Sequence, residues 1–220
     1  MREINLEKLG KGEQPAYSKE FEELISSEGR LRQLIEGSHV SITPWNPDVA
    51  WKDWEQGRRF ISEAIYKDGS ILDYGCANGF LLRCLKEWSS HQLDAYGYDH
   101  DLPAIQEARK LFPPLQDHFA TEGELQTLPP SFDFIYWNVW DNYQFVPSEM
   151  DDFVPSLLNA RRPGGRLIMG FYDQTAKTVE TINRLPEYGY TPSGSLINPS
   201  REDECIVWFD RPVDDEAAQS

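Results

Sequence analysis

A run of small residues follows an apolar stretch in the first half of the chain. Residues 70–80 read SILDYGCANGF, and five consecutive residues in this run have little bulk: Gly75, Cys76, Ala77, Asn78 and Gly79. A buried strand that leads through such a turn into a helix gathers backbone N–H groups at the helix N-terminus, where a ligand can come close. The turn therefore predicts a ligand site, although Gly75 and Gly79 could also be ordinary turn glycines.

A carboxylate ends the next apolar run. This run reads LDAYGYDHD and leads to Asp99, twenty residues after Gly79. At the tip of the second strand of an open parallel sheet, an acidic residue accepts hydrogen bonds from the hydroxyls of a ribose. Asp99 or Asp101 could instead cap a helix predicted over residues 102–111, and Asp101 is the better placed of the two for that role.

Two common nucleotide sites do not fit this pattern. The dinucleotide motif G-x-G-x-x-G needs a final glycine where this chain has Phe80, and no Gly-Lys-Ser/Thr of a P-loop follows the turn. Metal chemistry is not indicated either, because His39, His91, His100 and His118 are isolated and no Cys-x-x-Cys occurs. We therefore expect no metal site.

The charge of the chain bears on its partners. The 220 residues include 37 acidic and 21 basic side chains, for a formal net charge of −16. This charge repels polyanions, and the densest basic clusters are only the pairs Arg58-Arg59 and Arg161-Arg162. We therefore expect no nucleic-acid partner, and a neutral or cationic small molecule suits the charge better.

The location of the protein is predicted from apolar runs and cysteines. No apolar run reaches the roughly 18 residues that suggest a membrane helix, and the N-terminus lacks the apolar core of a secretory signal. Cys76, Cys84 and Cys205 are an odd number of cysteines at scattered spacings, which favours reduced thiols over a disulfide framework. We expect a cytoplasmic protein without membrane contact.

The elements that must position the turn follow from the hydrophobic pattern. Five apolar runs separated by helical periodicity predict parallel strands over residues 71–74, 93–98, 117–120, 132–138 and 166–172. The helices between them are predicted over residues 80–88, 102–111 and 148–160. After a helix near residues 176–185, two extended segments over 188–197 and 204–210 predict an antiparallel hairpin. The pattern indicates an α/β fold: a seven-stranded, mostly parallel sheet with an antiparallel C-terminal hairpin and helices on both faces.

Helical periodicity also precedes the first strand, over residues 19–36 and about 51–66. Residues 38–51 (SHVSITPWNPDVAW), which connect these helices, hold two prolines and two tryptophans, which predicts a structured loop. We divide the chain into an N-terminal helical cap over residues 1–54, a main domain over 55–212 and an acidic tail over 213–220.

Four segments of the chain together resemble the class I S-adenosylmethionine-dependent methyltransferases. The run Leu72-Asp73-Tyr74-Gly75-Cys76-Ala77-Asn78-Gly79 is similar to their motif I, L-D-x-G-x-G-x-G, with Ala77 in place of the middle glycine. Asp99, residues 128–133 (LPPSFD) and residues 162–166 (RPGGR) follow in the family's order. The resemblance covers roughly residues 55–210 and implies a Rossmann-like fold, S-adenosyl-L-methionine as cofactor and methyl transfer as activity.

The resemblance also implies which residues hold the reactive half of the cofactor. Asp73 and the turn at residues 75–79 would hold the methionine moiety. Asp99 would take the ribose hydroxyls, and Asn138 would border the sulfonium.

The adenine half is implied in the same way. His100 would lie against the adenine ring. Glu122, followed by Gly123, would bind the adenine amine, and Glu124 is the alternative if the register is shifted.

The acceptor is less determined. After Asn138 the chain reads VWD, where amide- and base-methylating relatives often carry Pro-Pro-(Tyr/Phe), so those acceptors are not supported. Asp141 is the candidate general base. The alternative, a solvated loop carboxylate or a helix cap, is favoured over this role, and Tyr172 and Asp173 are rival candidates.

Aromatic residues indicate the kind of acceptor. Those expected near the cleft are Trp45, Trp51, Trp54, Trp137, Trp140 and Tyr143. They could form a lid and a cleft for an aromatic or cationic small molecule, or the first three could pack the N-terminal helices onto the sheet. Arg58 or Arg59 could reach the cofactor's carboxylate or form surface ion pairs, and Tyr17 could close over the cofactor.

The expected function is in-line methyl transfer from S-adenosyl-L-methionine to an oxygen or nitrogen of a small molecule. One alternative is a module that binds the cofactor without catalysis. The other is methylation of a protein or an RNA.

Overall fold

The computed structural model describes residues 17–38, 45–172 and 176–213. Its centre is a sheet of seven strands: β1 (Gly69–Tyr74), β2 (Leu93–Tyr98), β3 (Phe119–Ala120), β4 (Phe132–Asn138), β5 (Arg161–Phe171), β6 (Gly194–Asn198) and β7 (Arg201–Asp210). The order across the sheet is β3-β2-β1-β4-β5-β7-β6, and neighbours are parallel except where β7 pairs with β5 and β6. The predicted mostly parallel sheet with an antiparallel C-terminal hairpin is confirmed.

The strand order reverses beside β1. The chain runs outward from β1 to β2 and β3, and then crosses back to place β4 on the other side of β1. In open α/β sheets, ligands bind in the crevice outside the carboxyl ends of the strands at such a reversal. The small-residue turn at residues 75–79 follows β1 directly and so lies at this crevice.

Helices cover both faces of the sheet, as predicted. In the described ranges they are α1 (Lys19–Ser26), α2 (Glu28–Glu36), α3 (Pro47–Arg58), α4 (Phe80–Trp88), α5 (Leu102–Leu111), α6 (Phe153–Asn159) and α7 (Ala176–Arg184). Successive strand residues point to opposite faces, so Ile71 joins one hydrophobic cluster and Leu72 joins the other. Residues of α1 to α5 pack in the first cluster, and residues of α6 and α7 in the second.

Helix boundaries near the N-terminus differ from the predictions. The helix predicted over residues 19–36 is interrupted at Ser27, whose extended backbone (φ −80°, ψ 102°) separates α1 from α2. The helix predicted from residue 51 begins at Pro47, because the Asn46 side chain accepts hydrogen bonds from two backbone N–H groups of the first turn at 3.1 and 3.3 Å.

Strand boundaries differ where a short 3-10 helix takes part of the predicted strand. The helix Pro113–His118 leaves two residues for β3, and the helix Leu185–Tyr188 delays β6 to Gly194. In contrast, β5 is longer than predicted and begins at Arg161, which pairs with Phe132 of β4.

The N-terminal helices share a hydrophobic core with the sheet. Phe21, Leu31, Leu34 and Ile35 are at most 2% exposed and belong to the same cluster as Phe80 of α4. The predicted boundary between cap and main domain, after residue 54, falls inside α3, and this division of the chain stays a prediction. Residues 214–220 of the predicted tail lie outside the described residues. None of the helices in the described part of the chain combines the length and apolar character that crossing a bilayer requires.

Candidate functional site

The small-residue turn has an unusual backbone shape. Gly75, Ala77 and Gly79 have positive φ angles of 90°, 48° and 74°. Glycine adopts this region freely, but Ala77 carries a Cβ, which makes the left-handed conformation unfavourable by about 1–2 kcal/mol. The surrounding structure must therefore hold the turn in place.

The end of β2 supplies part of this support. The backbone N–H groups of Gly75 and Cys76 donate to the Tyr98 carbonyl at 2.7 and 3.0 Å. The N–H of Ala77 donates to Asp99 Oδ2 at 2.8 Å, and this carboxylate is only 4% exposed. The turn and Asp99 thus form one hydrogen-bonded unit.

A cavity of about 740 Å³ opens at the carboxyl ends of β1, β2 and β4. Its wall includes eight residues that the sequence marked as candidates: Asp73, Gly75, Cys76, Ala77, Asp99, His100, Asn138 and Asp141. Its volume is in the range of small-molecule and cofactor sites. Residues that are distant in sequence therefore come together where the sheet topology places a ligand.

The other predicted cofactor contacts do not line the cavity. Asn78 is buried, and its side chain bonds to α2 and to Ser38. A Cβ at Gly79 would lie 3.1 Å from the Cβ of Ala108, so this glycine allows α4 to pack closely against α5. Glu122 is exposed and, with Gly123, lies outside the cavity wall, so their roles stay predictions.

Glu124, the alternative to Glu122, is engaged in other contacts. Its Oε2 accepts hydrogen bonds from Arg109 Nη2 at 2.9 Å and from the Thr121 N–H at 3.1 Å. The carboxylate therefore fastens the loop after β3 to α5.

Asp73 is a buried carboxylate that faces the cavity. It is 3% exposed, and no hydrogen bond joins its side chain to another described residue. Burial, together with the charge of Asp99, raises the pKa of the Asp73 carboxyl to about 8. An unpaired buried carboxyl is costly, so a cationic group in the cavity would be stabilised here.

Asp99 is held from two sides. Besides the Ala77 N–H, it accepts a hydrogen bond from the Asp101 N–H at Oδ1 (2.9 Å), and His100 Nδ1 lies 3.3 Å from Oδ1. Asp101 occupies the N-cap position of α5, but its side chain makes no capping hydrogen bond. The carboxylate of Asp99 remains on the cavity wall, where its oxygens have lone pairs for further donors.

Trp140 is the aromatic residue best placed to contact a ligand. Its ring stacks on Phe153 with centroids 5.2 Å apart, yet the residue is 44% exposed and lines the cavity. Its Nε1 lies 3.8 Å from the position of a Cβ built on Gly75. Tyr143 packs beside it and donates to Asp151 Oδ2 at 2.7 Å.

The other tryptophans mainly build the core. Trp137 is fully buried, and Trp51 packs among the rings of Tyr17, Phe21, Phe80 and Trp88. Trp54 stacks on Phe80 and touches the cavity, whereas Trp45 packs near Arg32. Of the first three tryptophans, Trp51 therefore serves the packing role that was the alternative to a lid.

Arg58 brings a positive charge to the cavity wall. Its guanidinium carbon lies 3.8 Å from the ring centroid of Tyr172, and its ion pair with Glu204 is long, at 4.0 Å. Arg59 instead pairs with Glu55 at 2.6 Å, and the Tyr17 hydroxyl donates to the same carboxylate. Arg59 and Tyr17 do not line the cavity.

Tyr136 is a cavity residue that sequence reasoning missed. It is 1% exposed within β4, and its hydroxyl lies 2.8 Å from that of Tyr172. Burial raises the pKa of Tyr172 to about 12, so Tyr172 keeps its proton at neutral pH and is a poor general base. Asp141 stays a candidate, and the rival Asp173 lies outside the described residues. No cluster suited to a metal ion occurs within the described ranges.

Comparison with known proteins identifies the fold. No family model and no curated protein sequence matches the chain. The N-methyltransferase NodS from Bradyrhizobium japonicum WM9 is 18% identical with a TM-score of 0.52, over 74% of this chain and 97% of that one. Magnesium protoporphyrin IX methyltransferase from Synechocystis PCC 6803 with bound SAM is 16% identical with a TM-score of 0.52, over 90% and 99%. The ribosomal protein L11 methylase from Lactobacillus delbrueckii subsp. bulgaricus is 15% identical with a TM-score of 0.51, over 73% and 79%. The chain therefore has the class I methyltransferase fold, as the resemblance of its motifs implied.

Proposed function

We propose that the chain is an S-adenosyl-L-methionine-dependent methyltransferase that acts on a small molecule. The observation that carries the proposal is the pair of buried carboxylates, Asp73 and Asp99, that face one cavity beside the turn. S-adenosyl-L-methionine has an ammonium, which an unpaired carboxyl could bind, and a ribose diol, whose hydroxyls could donate to a second carboxylate. The fold, shared with solved methyltransferases, supports the same cofactor.

The residues of the cavity fit the parts of this cofactor. Asp99 would accept the ribose hydroxyls, and Asp73 would pair with the ammonium of the methionine moiety. Arg58 offers a guanidinium for the carboxylate of that moiety, because its own acidic partner is 4.0 Å away. His100 is 87% exposed at the side chain and would cover the adenine at the cavity edge.

For methyl transfer, the protein has mainly to orient the reacting groups and to exclude water from them. When bound, the cofactor supplies a methyl group already activated by a sulfonium. Orientation of the reacting groups can lower a barrier by up to about 7–11 kcal/mol in ideal cases. The turn, Asn138 and Trp140 would set this orientation, because all three line the same cavity.

The acceptor is proposed to be aromatic or cationic and to carry the methylated oxygen or nitrogen. Trp140 presents a half-exposed ring beside Gly75, which suits stacking of a planar or cationic group. Asp141 is the proposed base and lines the same cavity, while the hydrogen-bonded hydroxyl pair of Tyr136 and Tyr172 would offer one remaining donor to the acceptor.

One observation favours the alternative of a module that binds the cofactor without catalysis. Asp141 is exposed, and no hydrogen bond to another described residue orients its carboxylate. Incubation of the protein with methyl-labelled S-adenosyl-L-methionine and a metabolite extract separates the two. Label transferred to a small molecule supports the enzyme, whereas label that stays on bound cofactor supports the module.

Calorimetric titration with S-adenosylhomocysteine tests the cofactor site. The Asp99→Asn variant loses the negative charge to which the ribose hydroxyls would donate. Loss of two charge-assisted hydrogen bonds costs about 3 kcal/mol and predicts roughly hundredfold weaker binding. Asp94→Asn is the control, because Asp94 lies near the start of β2, whereas Asp99 follows the other end of that strand. No heat with the wild-type protein, or wild-type affinity in Asp99→Asn, would overturn the proposal.

A further inference from the structure

The side chain of Asn78 turns away from the cavity and towards the N-terminal helices. It is 4% exposed, and its Nδ2 donates to the carbonyl oxygen of Leu34 in α2 at 2.8 Å. Its Oδ1 accepts from the Ser38 hydroxyl at 2.8 Å and from the N–H of Phe80, the first residue of α4, at 3.1 Å. Asn78 therefore connects the carboxyl end of α2, the turn and the start of α4.

This connection lies in the part of the turn that needs support. Asn78 stands between Ala77 and Gly79, both with positive φ. Ala77 points its N–H at Asp99 in this conformation, so the shape of the turn also sets the proposed ribose site. Residues with a Cβ rarely adopt left-handed geometry unless their surroundings hold them there.

The end of α2 is shaped to receive the Asn78 side chain. A Cβ at Gly37 would lie 2.6 Å from Asn78 Nδ2 and 2.8 Å from the Gln33 carbonyl oxygen. The φ of Gly37 is −71°, which any residue can adopt, so the glycine is required by space and not by its backbone. Gly29, in the first turn of the same helix, has nothing within 4 Å of a built Cβ.

Helix α2 is itself anchored independently of Asn78. Leu31, Leu34 and Ile35 are at most 2% exposed, and Ile35 is fully buried. Apolar burial of this kind is not directional, so it holds α2 on the domain without fixing the turn. The hydrogen bonds of Asn78 are directional, so they fix the turn relative to α2.

We propose that Asn78 is a positioning residue that couples the N-terminal helices to the cofactor turn. It acts through the backbone of Ala77 and not by touching the ligand. The inference rests on the proposed function, since it assumes that the cofactor binds at the turn. Undocking or distorting the end of α2 would then weaken cofactor binding, although no residue of α2 lines the cavity.

Two alanine substitutions in one helix provide the test. Gly37→Ala places a Cβ against Asn78, while Gly29→Ala makes the same chemical change in open space. In calorimetry with S-adenosylhomocysteine, Gly37→Ala should bind at least about tenfold more weakly, and Gly29→Ala should bind like the wild type. Asn78→Asp, which faces the Leu34 carbonyl with an oxygen, should resemble Gly37→Ala. Asn78→Ser should likewise bind more weakly than the wild type. Wild-type affinity in folded Gly37→Ala and Asn78→Asp would overturn the proposal.

Hydrogen exchange separates this proposal from the cofactor assignment. In the ligand-free protein, Gly37→Ala should speed amide exchange at residues 76–80, whereas Gly29→Ala should not. If the wild type gives no heat with S-adenosylhomocysteine, the cofactor assignment fails and the exchange result alone decides the coupling. Unchanged exchange at the turn in Gly37→Ala would then refute it.

Discussion

Replacing Asp73 with asparagine tests the electrostatics of the cavity. Asp73 is 3% exposed, and burial together with the charge of Asp99 raises the pKa of its carboxyl from 3.8 to about 8. In the unfolded chain the carboxyl regains its ordinary pKa. Between these two pH values, the folded protein holds a proton that the unfolded chain has released.

The sign and size of the effect follow from this difference. Because the folded state binds more protons, raising the pH favours unfolding, and the stability that depends on the proton is lost up to about pH 8. One pH unit corresponds to about 1.4 kcal/mol. Asparagine does not titrate, so the stability of Asp73→Asn relative to the wild type should rise by up to about 4 kcal/mol between pH 5 and 8, and then level off.

Urea unfolding at pH 5, 6, 7, 8 and 9, followed by circular dichroism, measures this difference. Asp117→Asn is the control, because Asp117 is exposed and forms no hydrogen bond or ion pair with another described residue. Its stability should follow the wild type at every pH. Parallel pH profiles for the wild type and Asp73→Asn would refute the inference that this carboxyl is buried without a partner.

Cofactor binding gives a second readout of the same group. A cation placed beside Asp73 favours its ionised form, so S-adenosyl-L-methionine should displace its proton. With a pKa of about 8, the displaced fraction is about 0.9 proton at pH 7 and about half a proton at pH 8. Calorimetry in buffers of different ionisation enthalpy measures the release, and Asp73→Asn reports the part that comes from the cofactor itself. Equal release in both proteins would contradict the assignment of Asp73.

Two further substitutions test the core and the cavity wall. Leu34→Ala should destabilise the whole chain by about 2–5 kcal/mol in a single transition, because Leu34 is 2% exposed in the cluster that contains Phe80; a separate early transition would instead reveal an independent cap. Trp140→Phe should remove most of the fluorescence change caused by S-adenosylhomocysteine, because Trp140 is 44% exposed on the cavity wall, whereas Trp54, which also lines the cavity, is only 5% exposed and stacks on Phe80. An undiminished change would place the ligand elsewhere.

The sheet was predictable because burial marks its strands. Each central parallel strand has both faces covered, so it appears in the sequence as an apolar run. The missed boundaries have a local cause: the 3-10 helices Pro113–His118 and Leu185–Tyr188 are too short to show a period of their own. Ser27, which divides α1 from α2, is likewise one residue in an otherwise helical pattern.

The candidate site was predictable where it is local in sequence. The turn and Asp99 are recognisable because small residues and a carboxylate follow two apolar runs. Tyr136 was missed because it lies inside the apolar run of β4, where a tyrosine suggests core packing. Its hydroxyl meets that of Tyr172 only because β4 and β5 are neighbours, and a pair 36 residues apart has no local signal.

The turn itself shows why a motif is not a list of ligand contacts. Its first three residues, Gly75, Cys76 and Ala77, line the cavity, whereas Asn78 and Gly79 face α2 and α5. A tight turn must have two sides, and only one of them can meet a ligand. The side that faces the helices still affects ligand binding, because it determines the backbone shape of the side that faces the cavity. Gly37→Ala places a Cβ against Asn78 on that hidden side, so its effect on cofactor affinity measures how much of this motif serves to hold a shape.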